Sequence, residues 1–182
     1  MLPTIGAATV IGRARPVTNL ATNGGFETNA TGWSVDVTRT LASADSITAK
    51  QGSYVGKTVT GGGANQACAS VTVSGLTIGV IYTVSRWVYR AEASAQLTFR
   101  VRNAANSANL ASQDVPLATG WQYMTLTFTA DGTSHIVNVN RVPASVVTFY
   151  TDTFQCEAGS FATPYVHTDG GTASRASTKW VA

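Results

Sequence analysis

Residues 120–129 read Gly120-Trp121-Gln122-Tyr123-Met124-Thr125-Leu126-Thr127-Phe128-Thr129, and they alternate. Trp121, Tyr123, Thr125, Thr127 and Thr129 fall on one side, and Met124, Leu126 and Phe128 on the other. A period of two belongs to a strand, whose successive side chains point to opposite faces. One face packs inward and the other is polar and free to bind. The run at 95–102 repeats the pattern, with Leu97, Phe99 and Val101 opposed to Thr98, Arg100 and Arg102. Further strand-like runs lie at 35–41, 53–60, 66–73, 80–90, 134–142 and 146–157. Turn clusters such as Asn23-Gly24-Gly25, Gly61-Gly62-Gly63 and Asp131-Gly132 separate them. About eight antiparallel strands, with no repeat and no long helical pattern, predict an all-β jelly-roll sandwich.

Composition agrees. The 182 residues suit one domain with a real core. The 27 threonines, 17 glycines and many valines favour strands, because β-branched side chains fit a pleated surface. Net charge is +3, and the basic residues are scattered without a run, so they read as a solvated surface and not as a nucleic-acid footprint. No window of 18 apolar residues predicts a membrane span. Cys68 and Cys156 form no Cys-x-x-Cys pair; buried free thiols are expected. The histidines, His135 and His167, lie far apart, and no nucleophile elbow, phosphate loop or paired acid and base is visible. The chain reads as a non-enzyme.

The order of short motifs then becomes informative. Asn19-Leu20, Asn23-Gly24-Gly25-Phe26-Glu27 and Gly32-Trp33 are followed by Gln51-Gly52-Ser53-Tyr54 and Tyr82-Thr83-Val84-Ser85-Arg86-Trp87-Val88. Gly120-Trp121-Gln122-Tyr123, Phe149-Tyr150-Thr151-Asp152 and Phe154-Gln155-Cys156-Glu157 complete the series. Together they resemble the family 4/9 carbohydrate-binding modules across residues 19–157. The segment from Gln155 through Phe161-Ala162-Thr163-Pro164-Tyr165-Val166 to Arg175 resembles the tail that follows such domains in bacteriophage structural proteins. The resemblance implies a virion surface protein, a capsid decoration or minor tail protein made in the host cytoplasm. The alternative is a carbohydrate-binding module of a polysaccharide-degrading enzyme. The start, MLPTIGAATVIGRARP, lacks the form of a signal peptide, which favours the virion reading.

The resemblance also implies a structural calcium ion held by Glu27 and Asp152, since hard oxygen ligands from distant strands suit Ca²⁺. The other reading of these carboxylates is the capping of loop amides, or a pairing with Lys50 or Lys57. For glycan contact, Trp87 and Tyr89 are expected to stand beside Arg100, Arg102, Asn138 and Asn140, aromatic rings stacking on sugar faces while amides and guanidinium groups bond hydroxyls. Trp33 and Trp121 read as core. Three units are expected: an extended arm at 1–17, the jelly roll at 18–160, and a docking segment at 161–182 that the sandwich does not need. Expected partners are other virion proteins (the major capsid or tail protein), further copies in a homo-oligomer, and a cell-surface glycan, with no nucleic acid and no membrane.

Overall fold

A computed structural model describes residues 16–61, 63, 66–141 and 146–176. Its strands are β1 (Val17–Asn19), β2 (Val37–Leu41), β3 (Tyr54–Val59), β4 (Gln66–Ser74), β5 (Ile81–Arg90), β6 (Leu97–Arg102), β7 (Asn109–Asp114), β8 (Gly120–Thr129), β9 (Ser134–Arg141), β10 (Thr148–Ala158) and β11 (Ala173–Arg175). One turn of 3-10 helix spans Ala42–Asp45. Every pairing is antiparallel. A five-stranded sheet runs β2-β3-β10-β5-β8, a four-stranded sheet runs β4-β9-β6-β7, and β1 pairs with β11 as a separate two-stranded latch. The jelly-roll sandwich is as the alternation predicts. The sequence reading lacks β1, β7 and β11. The arm at 1–15 lies outside the described residues, and its expected boundary at 17 falls inside β1.

The two inner faces meet in one core. Met124, Leu126 and Phe128 of β8 face Leu97, Phe99 and Val101 of β6, with Val84 and Val88 of β5, Val137 and Val139 of β9, and both cysteines buried among them as free thiols. Burial pushes Cys68 up to about 11 and Cys156 up to about 12, so both stay protonated and act as small apolar groups.

Three arginines sit where a surface was expected. Arg86, Arg90 and Arg141 alternate with core residues on β5 and β9 and are at most 1% exposed. Arg86 lies between the sheets, its guanidinium carbon 4.9 Å, 5.5 Å and 5.1 Å from the ring centroids of Trp33, Phe99 and Phe154. Burial alone lowers it to about 9. A planar, weakly hydrated cation can occupy such a place by stacking on ring faces. Arg90 instead donates to the carbonyls of Glu92 and Ala95. The scattered charges are therefore only partly a solvated surface.

The C-terminal segment corrects a second expectation. Residues 159–168 do not leave the domain; they lie as a strap across the outer face of the five-stranded sheet. Glu157, buried on that face, accepts from the amide of Thr163 (2.7 Å) and its hydroxyl (2.9 Å). The amide of Val166 donates to Gln155 Oε1 (2.7 Å), Asn19 Nδ2 donates to the Val166 carbonyl (3.0 Å), and the Gly24 amide donates to Thr168 Oγ1 (3.0 Å). Buried polar groups on β10 would otherwise face water or each other without partners, so the strap completes the fold. The remaining residues, 177–182, lie outside the described residues.

Candidate functional site

The residues expected to form one binding surface lie on opposite sides of the sandwich. Trp87 and Tyr89 point outward from β5, on the outer face of the five-stranded sheet. Arg100, Arg102, Asn138 and Asn140 point outward from β6 and β9, on the outer face of the four-stranded sheet. The period of two places each residue on its own sheet correctly but cannot say which sheet a strand joins. The expected composite is therefore two separate faces.

The four-stranded face is polar. Asn138 and Asn140 sit on its central strand and are only 2% and 5% exposed although they face outward. Arg100 Nε donates to Asn138 Oδ1 at 2.7 Å, and its terminal nitrogens make no hydrogen bond among the described residues. Burial and the neighbouring Arg102 both lower the Arg100 pKa. Among the described residues Asn140 Oδ1 is buried with no partner. Thr98 and Asp114 bond each other at 2.8 Å along the rim. Arg102 plays a different part, since its three nitrogens are spent on Asn106 Oδ1, the Asn106 carbonyl and Asn109 Oδ1, and it fastens the loop between β6 and β7. The alternation places these residues in one outward row but carries no signal for that loop.

The five-stranded face is aromatic and mostly covered. At one end, residues 42–53 fold over Tyr89, Tyr150 and Trp121, with Ile47 and Val55 buried between them. Trp121 belongs to this outer cluster, not to the inter-sheet core, and its indole donates to the Thr48 carbonyl at 2.8 Å. Trp33, by contrast, packs against the core as expected. At the other end lies the strap. Between the two covers a cleft of about 210 Å³ stays open, lined by Ser85, Trp87, Tyr123, Thr153, Thr163, Pro164 and Tyr165. Trp87 and Tyr123 stand 5.0 Å apart by ring centroid, and Lys50 Nζ lies 4.0 Å from the Trp87 centroid.

Glu27 and Asp152 come together beside that cleft, around the loop that leads into β3. Glu27 accepts from the amides of Ser53 and Tyr54. Asp152 is buried; it accepts from the amides of Lys50 (2.7 Å) and Gln51 (3.1 Å) and, through its other oxygen, from Thr153 (2.7 Å). The capping of loop amides, the second reading of these carboxylates, is thus observed. Lys57 pairs with Asp45 at 2.9 Å, and Lys50 turns to Trp87. Burial foremost, with the nearby Glu27 charge contributing, raises Asp152 to about 7. Among the described residues neither carboxylate has a basic side chain in ion-pair range. Two neighbouring acids without a counter-charge fit a hard divalent cation, which would neutralise both and tie the loop to β10. No group of three or more His, Cys, Asp or Glu side chains is present among the described residues, so carbonyl oxygens would have to supply the other ligands.

The profile of a carbohydrate binding domain family, of types 4 and 9, matches residues 18–141. No curated protein matches the chain in sequence. Among solved structures, a TmCBM61 module in complex with β-1,4-galactotriose is 21% identical, with TM-score 0.57 over 78% of this chain and 99% of its own. The enzymatically active domain of tailspike protein 4 of bacteriophage CBA120 is 14% identical, with TM-score 0.55 over 77% of this chain and 21% of its own. The CBM22-1–GH10 modules of Clostridium thermocellum xylanase 10B, complexed with xylohexaose, are 16% identical, with TM-score 0.52 over 82% and 30%. These likenesses concern the fold.

Proposed function

Because the chain belongs to the carbohydrate binding domain family, we propose that it is a non-enzymatic glycan-binding sandwich displayed on a bacteriophage particle, as a capsid decoration or minor tail protein. The observation that carries glycan contact is the polar face of the four-stranded sheet. There, among the described residues, Asn140 Oδ1 is buried without a partner, and Arg100, bound through Nε to Asn138 on the same face, has terminal nitrogens free to donate. A buried acceptor left unmade costs about 1–3 kcal/mol. A sugar hydroxyl that receives from Arg100, with the Asn140 amide turning outward to accept from it, removes that cost on binding. The virion setting draws on the shared fold of the phage tailspike and on the phage-like closing segment, with the major capsid or tail protein and further copies of the chain as partners.

The experiment has two arms. Asn140→Ala and Arg100→Ala proteins, checked for unchanged melting, should lose at least tenfold in affinity on a glycan array. Undiminished binding by both variants would sink the assignment of that face. Separately, mass spectrometry of purified particles should find the chain at fixed stoichiometry, and its absence would overturn the virion setting.

The second reading, a module that delivers a polysaccharide-degrading enzyme to its substrate, is supported by the shared fold of the galactotriose-bound module and the xylanase. It predicts no chain in particles and a rise in turnover of insoluble polysaccharide when the domain is fused to such an enzyme. In either setting the calcium ion proposed at Glu27 and Asp152 serves stability, not chemistry.

A further inference from the structure

We infer that the cleft between the strap and the 42–53 cover is a second, independent glycan site, and that it selects an acidic sugar, a pyranose bearing a carboxylate. This rests on the reading of the domain as glycan-binding, but on a different face and different residues.

The lining has the parts such a ligand needs. Tyr123, 47% exposed, offers an open ring face, and Trp87 forms the floor beside it. Aromatic planes gain from covering the apolar C–H face of a pyranose. The hydroxyls of Ser85 and Thr153 make no hydrogen bond among the described residues and face the cleft. The volume, about 210 Å³, lies below the roughly 300–1,000 Å³ of pockets for drug-sized ligands, which suits one sugar residue and not a long chain.

Charge gives the class. Lys50 is exposed, with its ammonium over the Trp87 ring and no carboxylate in ion-pair range among the described residues. An ammonium held at the rim of an aromatic cleft and left without an anion is ready for a ligand carboxylate. Its backbone is held in place there, because the Lys50 amide is one of those gripped by Asp152. The same carboxylate receives the Thr153 amide and so holds Thr153 at a φ of +52°. A β-branched residue adopts that conformation only where its surroundings impose it. Asp152 thus sets both the cation and one hydroxyl of the cleft, and neither Lys50 nor Thr153 is placed by the strand pattern alone.

The test uses the full chain and an array that pairs uronate- and sialate-terminated oligosaccharides with their carboxyl-reduced forms. The wild type should prefer at least one acidic member over its reduced partner by tenfold or more, and the preference should shrink as salt rises. Lys50→Gln should abolish the preference while leaving binding of the reduced form unchanged. Tyr123→Ala, at a half-exposed site, should abolish binding of both forms without moving the melting temperature. Asn140→Ala should leave the preference as it is, so failure of the four-stranded face does not count against the cleft. No acid preference in the wild type, or a preference that survives Lys50→Gln and Tyr123→Ala, overturns the inference.

Discussion

Ending the chain at Ser160 removes the strap and asks whether it belongs to the fold. Six of the strap's hydrogen bonds to groups that stay behind would go, counting the Gln155 fork once: one each from Asn19, Gly24 and Gln155 to the strap, two from Thr163 to Glu157, and one from Val166 to Gln155. The β1–β11 ladder and the Thr18–Ser174 hydroxyl bond go with them. At about 1 kcal/mol net for each bond, the strap's six alone come to about 6 kcal/mol, which is a lower bound for the truncation. Burial of Val166 is lost as well. A domain stable by roughly 5–15 kcal/mol keeps little margin after such a loss. At about 2–4 °C per kcal/mol for a chain of this length, the midpoint should fall by roughly 12–24 °C. Near-ultraviolet circular dichroism and tryptophan fluorescence, recorded through thermal melts of the full and shortened chains, measure this directly. A shortened chain that melts within about 3 °C of the full one, with its near-ultraviolet signal intact, would refute the reasoning. The strap would then be surplus to the sandwich and available to dock on a neighbour.

Two further outcomes follow from the loop that Glu27 and Asp152 grip. Asp152 is raised to about 7 in the folded protein, from the ordinary aspartate value near 3.8. The folded state therefore holds a proton that the unfolded chain has already released. That contribution to stability is present below about pH 4 and lost as pH rises through 7. Melting temperature should fall over this window, Asp152→Asn should flatten the fall, and millimolar calcium at pH 8 should restore what chelator removes. An identical slope in the variant, or identical melts with calcium and with chelator, speaks against the carboxylate pair as a cation site. Gly52 has a φ of +68°, and a Cβ there would overlap the Glu27 carboxylate. Gly52→Ala should cost on the order of 1–3 kcal/mol in denaturant melts, through backbone strain and the displaced clamp. A cost under about 0.3 kcal/mol would mean that the loop yields freely.

Legibility in the sequence follows the strength of the alternation. β5, β6, β8, β9 and β10 carry long runs with an apolar face, and their positions can be read directly. β7, Asn109–Asp114, is an exposed edge strand without an apolar face, so it leaves no periodic signal. β1 and β11, three residues each, exist only because they find one another across most of the chain. Arg86 defeats charge-based reading because its stabilisation comes from three rings contributed by other segments. The residues expected to contact glycan can each be placed on an outer face one by one, yet their grouping fails, since sheet membership is decided by long-range pairing that spacing does not record. Tyr123 shows the reverse case. Alternation puts it on the correct face of its strand, but its value as a platform emerges only beside Pro164 and Tyr165, which the strap delivers.

The β1–β11 latch has a mechanical consequence. Val17 pairs with Arg175 and Asn19 with Ala173, so the polypeptide enters and leaves the domain side by side. Tension applied through the two flanking segments would load this pair in an unzipping geometry, one rung after another, and not in shear across the whole ladder. The first two rungs would yield before the load reached Asn19, whose side chain is bonded to the Phe154 carbonyl and the Cys156 amide of β10. A pull that opens only those rungs is absorbed by the latch, so the core and the four-stranded face stay unstrained, whereas a stronger one reaches the strap next and with it the cleft.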